Sequence, residues 1–350
     1  MDKSSGCNFR LVFTTLLVAI SILKMTKFLP ILLGTVAILN AEFEPTAQDR
    51  IVPKGAKLEL LWSDAKFTEG PAAAPDGNIY FTSIRTARIM RFEPKTGKTT
   101  LYRKDSGKAN GLMFDRQGRL VACEGSDHGN IRVSITDKDG TIRTLADKFE
   151  GKRLNSPNDL FITPKGRIYF TDPRYIGHEP RELDFEGVYL IEPDSTLKLA
   201  TRKLQRPNGI LISRDEKTAY VADHHSDNEK NRHLVAFRIR PDGTFGKKTS
   251  LHDFGEDRGI DGMAMDTDGN LYTTAGTEKT SGIYVFSPDG GHLARIPLPG
   301  APTNCAFGKN EDNKTLYITA AIKGREKNTM GAFGLYRIRL GVTGRHAPTE

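Results

Sequence analysis

Between Ser156 and Asp172 the chain reads SPNDLFITPKGRIYFTD: a polar opening at Asn158 and Asp159, a short apolar run, a turn at Gly166, then a second apolar run from Ile168 to Thr171. Two short apolar runs around a glycine turn predict a β-hairpin. The same sentence is written six times, opening at Glu69, Asn110, Asn158, Asn208, Asp261 and Asn304. In four of the six a glycine stands eight residues after the opener (Gly77, Gly118, Gly166, Gly269). The other two place Asp215-Glu216-Lys217 and Glu311-Asp312-Asn313 at the turn.

The steps between openers are 41, 48, 50, 53 and 43 residues. Strand-and-turn repeats of that period predict an all-β fold, a six-bladed β-propeller with one repeat per blade. Innermost strands of a propeller line a central channel, so the six openers become a ring around its axis. Oxygen-bearing side chains facing one another across a channel suit a hard cation. Ahead of the first repeat, Lys57–Leu61 is expected to supply an outer strand to the last blade, covering an exposed sheet edge. The polar tail after Leu340 is expected to be loose.

Residues 1–41 change the picture of where the protein works. Apolar runs at Leu11–Leu23 and Phe28–Leu39 flank Lys24 and Lys27, and from Met25 onward the pattern is a basic start, an apolar core and a small residue, Ala41. That pattern is expected to be a secretory signal, read from Met25, rather than a membrane anchor, since each run is too short to span a bilayer alone. The expected organisation is therefore a targeting segment at 1–41 and one propeller at 42–345, exported to the periplasm or the extracellular space. The net charge is +8. The leader carries four basic residues and one acidic one, so its loss leaves a mild excess that calls for no nucleic acid and no stable membrane insertion. Cys123 and Cys305 stand in different repeats and do not by themselves establish a disulfide. Nothing in the composition fixes an oligomeric state.

Long charged insertions follow the second runs at Asp172–Phe185, Asp223–Arg232 and Ala321–Ala332, which marks that end as the binding face. Gly151–Pro157 enters the third repeat and is expected to bring Arg153 or Asn155 over the channel mouth. Asn110 and Asn304 are open between substrate contact, support of the ligands and a structural role. Asp172 and Asp223 either orient the ring asparagines or cap turns. His128, His224 and His225 read as solvent-facing loop histidines. The run Asp266–Asn270 lacks the glutamate a calcium-binding EF-hand loop needs and reads as a hairpin turn. There is no G-x-S-x-G elbow and no dinucleotide or phosphate-loop glycine pattern.

The motifs FTEGP around Glu69, RLVACE at 119–124, NSPNDL and YFTDPRY around Asn158, RPNGI around Asn208 and IDGMAMD around Asp261 resemble those of the gluconolactonase / senescence-marker-protein (regucalcin) family. More distantly they resemble the paraoxonases and diisopropyl-fluorophosphatase. The resemblance implies a six-bladed propeller with a divalent cation in its tunnel. It assigns Glu69, Asn158, Asn208 and Asp261 to that metal, and Asp261 also to the role of general base. The mammalian members' substrate-contacting arginine has no match here, with Arg153 as the candidate, and the paraoxonases' histidine pair is absent. Beside the resemblance, two carboxylates balance one divalent ion, two amides add neutral oxygens, and four donors leave positions open for water and substrate. Calcium leads, with magnesium, manganese and zinc behind it, since oxygen-only ligation disfavours imidazole- and thiolate-seeking ions. The expected function is metal-dependent hydrolysis of a small-molecule lactone, a sugar lactone first. An aryl-ester or organophosphate hydrolase on the same site is the second reading, and a non-catalytic propeller with a structural ion the third.

Overall fold

Each repeat's second apolar run is buried along its whole length, while the strands further out alternate or lie open, as in Lys98–Arg103. That gradient from apolar to polar builds a sheet whose inner edge faces an axis and whose outer edge faces water. A computed structural model describes residues 45–225 and 232–349 and folds them into six four-stranded antiparallel sheets around one axis. The innermost strands are Thr68–Ala73, Ala109–Phe114, Leu160–Ile162, Pro207–Ile212, Met263–Met265 and Pro302–Phe307, which we number blades 1 to 6. Apolar clusters fill the gaps between neighbouring blades: Tyr169 and Leu190 of blade 3, Val221 and Val235 of blade 4, and Phe286 of blade 5 belong to one of them.

The glycine turns are alike for a stated reason. Gly77, Gly118, Gly166 and Gly269 all have φ between +75° and +87°, where a side chain is disfavoured. In each, the glycine N–H bonds the carbonyl three residues back. Blade 4 makes the same turn with Glu216 at φ +54°. The run Asp266–Asn270 is the hairpin turn of blade 5, its Asp266 Oδ1 accepting from the N–H groups of Asp268 and Asn270.

The ring closes through the chain's own beginning. Glu59–Ala65 pairs antiparallel with Phe333–Arg339 as the fourth strand of blade 6, a longer strand than the expected Lys57–Leu61. The tail departs from its expectation. Gly341 N–H bonds Ile51 O, Gly344 N–H bonds Asn313 O, and Arg345 Nη1 bonds Ile212 O at 2.6 Å. Ala347 is buried, and the tail's backbone donors are satisfied by Ile51 O, Asn313 O and, through Arg345 N–H, Met265 O, so the tail is packed rather than loose. Cys123 and Cys305 are buried free thiols. Among the described residues no helix is long and apolar enough to cross a membrane. The targeting segment and positions 226–231 of the Asp223–Arg232 insertion lie outside the described residues.

Candidate active site

The inner strands approach one another backbone to backbone. Gly111 N–H bonds Asn158 O, Gly209 N–H bonds Asp261 O and Gly262 N–H bonds Thr303 O, each at 2.8 Å. A Cβ at Gly70 would lie 2.0 Å from Asn110 O, and one at Gly209 would lie 2.5 Å from Asp261 O. Four openers are therefore followed by glycine, since only a bare Cα lets the next blade come so close. Threonines on the second strands brace the same point: Thr82 donates to Asn110 O, while Thr171, Thr274 and Thr319 accept the N–H groups of Asp159, Gly262 and Asn304. Both signals stand in the sequence, as opener-Gly pairs and as YFTS, YFTD, YTTA and YITA.

This scaffold brings Glu69, Asn110, Asn158, Asn208 and Asp261 into the wall of one cavity of about 340 Å³ on the insertion-bearing face. Asn208 Nδ2 donates to Asp261 Oδ1 at 2.7 Å and to Tyr175 Oη at 3.0 Å, so Oδ1 is the atom its amide keeps for a ligand. Arg258 Nη2 pairs with Asp261 Oδ2. Glu69 Oε2 accepts its neighbour's N–H, from Gly70, at 2.8 Å. The amides of Asn110 and Asn158 make no hydrogen bond to another described side chain or backbone group.

Two expected substrate contacts lie elsewhere. Arg153 sits on a short hairpin, Lys148–Phe149 with Lys152–Arg153, its guanidinium bonded to Pro180 O and 3.8 Å from Glu182. It does not line the cavity, because the insertion of blade 3 captures it. Asn304 is in the ring but lines a separate, smaller cavity on the tail side, where its Nδ2 reaches Asp159 Oδ2 at 3.4 Å and Cys305 N–H bonds its Oδ1. Asn155 is buried and structural, donating to Asp172 O and Phe185 O.

Of the two roles left open for Asp172 and Asp223, the hydrogen bonds show the capping one. Asp172 accepts the N–H groups of Asn155 and Ser156, and Asp223 those of Gln205 and Arg206. Each carboxylate thus caps the loop that delivers the next ring asparagine, Asn158 or Asn208. Burial pushes Asp172 up to about 7 against the pull of those two N–H bonds.

Tyr175, His224 and Arg258 are cavity residues that the sequence reading missed. His224 is not solvent-facing: it is buried, its Nδ1 is 2.8 Å from Ile260 O, and burial followed by the Arg258 charge lowers its pKa to about 3. It is therefore neutral, with Nδ1–H donating and Nε2 left to accept. Tyr175 Oη donates to His224 O at 3.0 Å. Insertions after the second strands were the available signal for Tyr175 and His224. Nothing marked Arg258. Arg85 and Lys108 add positive charge to the wall, and Phe67, Ile84, Pro157 and Ile176 add apolar surface.

Charge decides what the channel can hold. Burial raises Glu69 well above the ordinary carboxylate range, and the charges of Asp261 and Asp159 raise it further. Burial also raises Asp261, with Arg258 and the Asn208 bond opposing, and pushes Asp159 to about 7. Three buried carboxylates face each other with one guanidinium among them, and the Asn158 amide stands open beside them. A hard divalent cation fits this donor set: it would offset the excess negative charge with oxygen ligands from Glu69, Asn158, Asn208 and Asp261.

Comparison with known proteins places these features together. The family model described as "SMP-30/Gluconolactonase/LRE-like region" matches residues 67–322. A gluconolactonase of Zymomonas mobilis is 31% identical over 300 residues, covering 78% of this chain and 81% of that protein. Regucalcin of Xenopus laevis is 26% identical, over 84% of this chain and 97% of its own. Among solved structures, a gluconolactonase of Xanthomonas campestris superposes with a TM-score of 0.70 at 29% identity, covering 83% of this chain and 92% of the other.

Proposed function

Because the chain belongs to the SMP-30/gluconolactonase/LRE-like family, we propose that its central cavity hydrolyses a sugar lactone to the open hydroxy acid, making it a carboxylic-ester hydrolase. The observation that carries this reading is the cluster of Glu69, Asn158, Asn208 and Asp261 on one wall of the 340 Å³ cavity, with more buried negative charge than Arg258 offsets. Calcium is the ion an all-oxygen set favours. When bound, a divalent cation supplies Lewis acidity toward the lactone carbonyl oxygen.

The chain's own residues do the rest. Asn208 and Arg258 hold the Asp261 carboxylate from two sides, fixing it in the cavity wall. Water adds to the carbonyl carbon as its proton passes to Asp261. The ring C–O bond then breaks, and the departing oxygen takes that proton. Asn110 presents an unengaged amide to the sugar hydroxyls, and neutral His224 offers an acceptor nitrogen. The product acid ionises, so turnover releases one proton per lactone opened.

The test is metal analysis of the purified protein followed by proton release from glucono-δ-lactone with and without chelator. The expected result is one divalent ion per chain, activity lost on chelation, and at least about a hundredfold loss in Asp261→Asn at restored metal occupancy. Absence of lactone opening with every divalent ion tried overturns the reading. Unchanged turnover in Asp261→Asn removes that residue from proton transfer. Residues 1–41 are read as an export signal cleaved after Ala41, giving a periplasmic or extracellular enzyme; sequencing the amino terminus of the protein recovered outside the cytoplasm checks this.

A further inference from the structure

Beside the cavity mouth, three potential ligands of a different chemical kind meet. Asp127 and His128 lie on the loop after the second strand of blade 2, and His178 lies on the insertion after the second strand of blade 3. One carboxylate oxygen and one nitrogen from each imidazole lie within 4.8 Å of one another. The two imidazoles stack with centroids 4.0 Å apart at 28°, and His178 Nδ1 is 3.7 Å from Asp127 Oδ1.

The backbone is arranged to produce this meeting. Asp127 and His128 take successive left-handed conformations, φ +63° and +68°, unusual for two residues with side chains. Their N–H groups both donate to the Glu179 carboxylate, at 3.1 and 2.9 Å, and Arg174 Nη2 holds that carboxylate at 3.1 Å. Ser126 Oγ donates to Ile176 O, so the two loops are tied on either side of the cluster. The loops are fixed while the three side-chain ends stay accessible, His178 at 55% and Asp127 at 35%.

We propose that Asp127, His128 and His178 form a second metal site, for a borderline divalent ion of the zinc and cobalt class. Two imidazoles and one carboxylate suit such ions, whereas the oxygen-only channel set does not. Ligand atoms about 2.0–2.2 Å from a shared tetrahedral ion sit roughly 3.3 Å apart. The ligand atoms, within 4.8 Å of one another, need to close by at most about 1.5 Å to reach that spacing. The fourth position faces solvent. Since Ser126 and Ile176 line the cavity, an ion here clamps the blade 2 and blade 3 rims together at the mouth.

The test uses the full chain with calcium in excess to occupy the channel. Zinc is titrated against a chromophoric chelator, and cobalt(II) is followed by its visible d–d absorption. The wild type is expected to take up one zinc with micromolar affinity and to give a cobalt spectrum of low symmetry. His178→Gln is expected to bind zinc at least tenfold more weakly, and His128→Ala/His178→Ala to lose both signals. Circular dichroism and lactone turnover in calcium are expected to match wild type, which shows the variants to be folded. Equal zinc uptake and equal cobalt spectra in wild type and the double variant overturn the proposal and leave the histidines as a polar stack on the rim.

Discussion

Replacing Asp223 by alanine tests whether the loop caps hold the site in place. The carboxylate is fully buried and accepts the N–H groups of Gln205 and Arg206, each at 2.9 Å, three and two residues ahead of Asn208. Both donors are only partly buried and water reaches them once the carboxylate is gone, so losing the two bonds destabilises the fold by about 1–3 kcal/mol in all. Lys248 Nζ, 3.5 Å from the same carboxylate and partly exposed, turns to water and adds little. The loop it caps carries Asn208, which touches Asp261, so cation affinity falls as well. Residues that orient metal ligands typically contribute about 10- to 100-fold to affinity. The assay is urea unfolding of chelated wild type and Asp223→Ala, paired with calcium titration of each. Asp223→Asn keeps one acceptor oxygen and is expected to fall between them. A stability loss below about 0.5 kcal/mol, with calcium affinity unchanged, refutes the argument, because it means water replaces the carboxylate at no cost.

Three further outcomes follow from the channel and its turns. Burial pushes both Asp159 and Asp172 from 3.8 to about 7, so the folded, chelated protein keeps protons that the unfolded chain has released. The stability these two groups contribute is full below pH 3.8 and declines as pH rises toward about 7, by about 4 kcal/mol per group at most, then levels off; the gap in urea midpoint between wild type and Asp172→Asn across that range reads it for Asp172, and a gap that moves in wild type's favour as pH rises contradicts it. Gly209→Ala drives a Cβ to 2.5 Å from Asp261 O and is expected to cost about 1–3 kcal/mol while lowering lactone turnover, read by urea unfolding and proton release. Glu216→Gly relieves a left-handed residue at the turn position where four other blades use glycine, with an expected gain of about 0.5–1 kcal/mol in urea unfolding.

The propeller was legible because its signal is repeated. Six copies of strand, turn and strand outweigh the ambiguity of any one, and the ring positions follow from the shared register. Glu69, Asn158, Asn208 and Asp261 come to one wall for that reason. Asn304 shares their register but belongs to the opposite cavity, since Gly262 beside it leaves room for its amide to turn toward Asp159. Arg153 misled because a charge near a channel entrance has no fixed direction: a two-residue hairpin and one glutamate decide where it points. Tyr175, His224 and Arg258 depend on loop conformations that have no period, and a packed tail is indistinguishable from a loose one until its carbonyl partners are known.

The fourth strand of blade 6 comes from the opposite end of the polypeptide from its three companions. During synthesis the nascent protein is therefore an open arc, and its final edge stays bare until the last ribosomal residues emerge to meet the first. No fragment ending within the sixth repeat can shut the circle. Fusions joined just ahead of Glu59 need slack enough for that strand to dock, and new termini are best opened at an outer hairpin, where the seam can stay sewn.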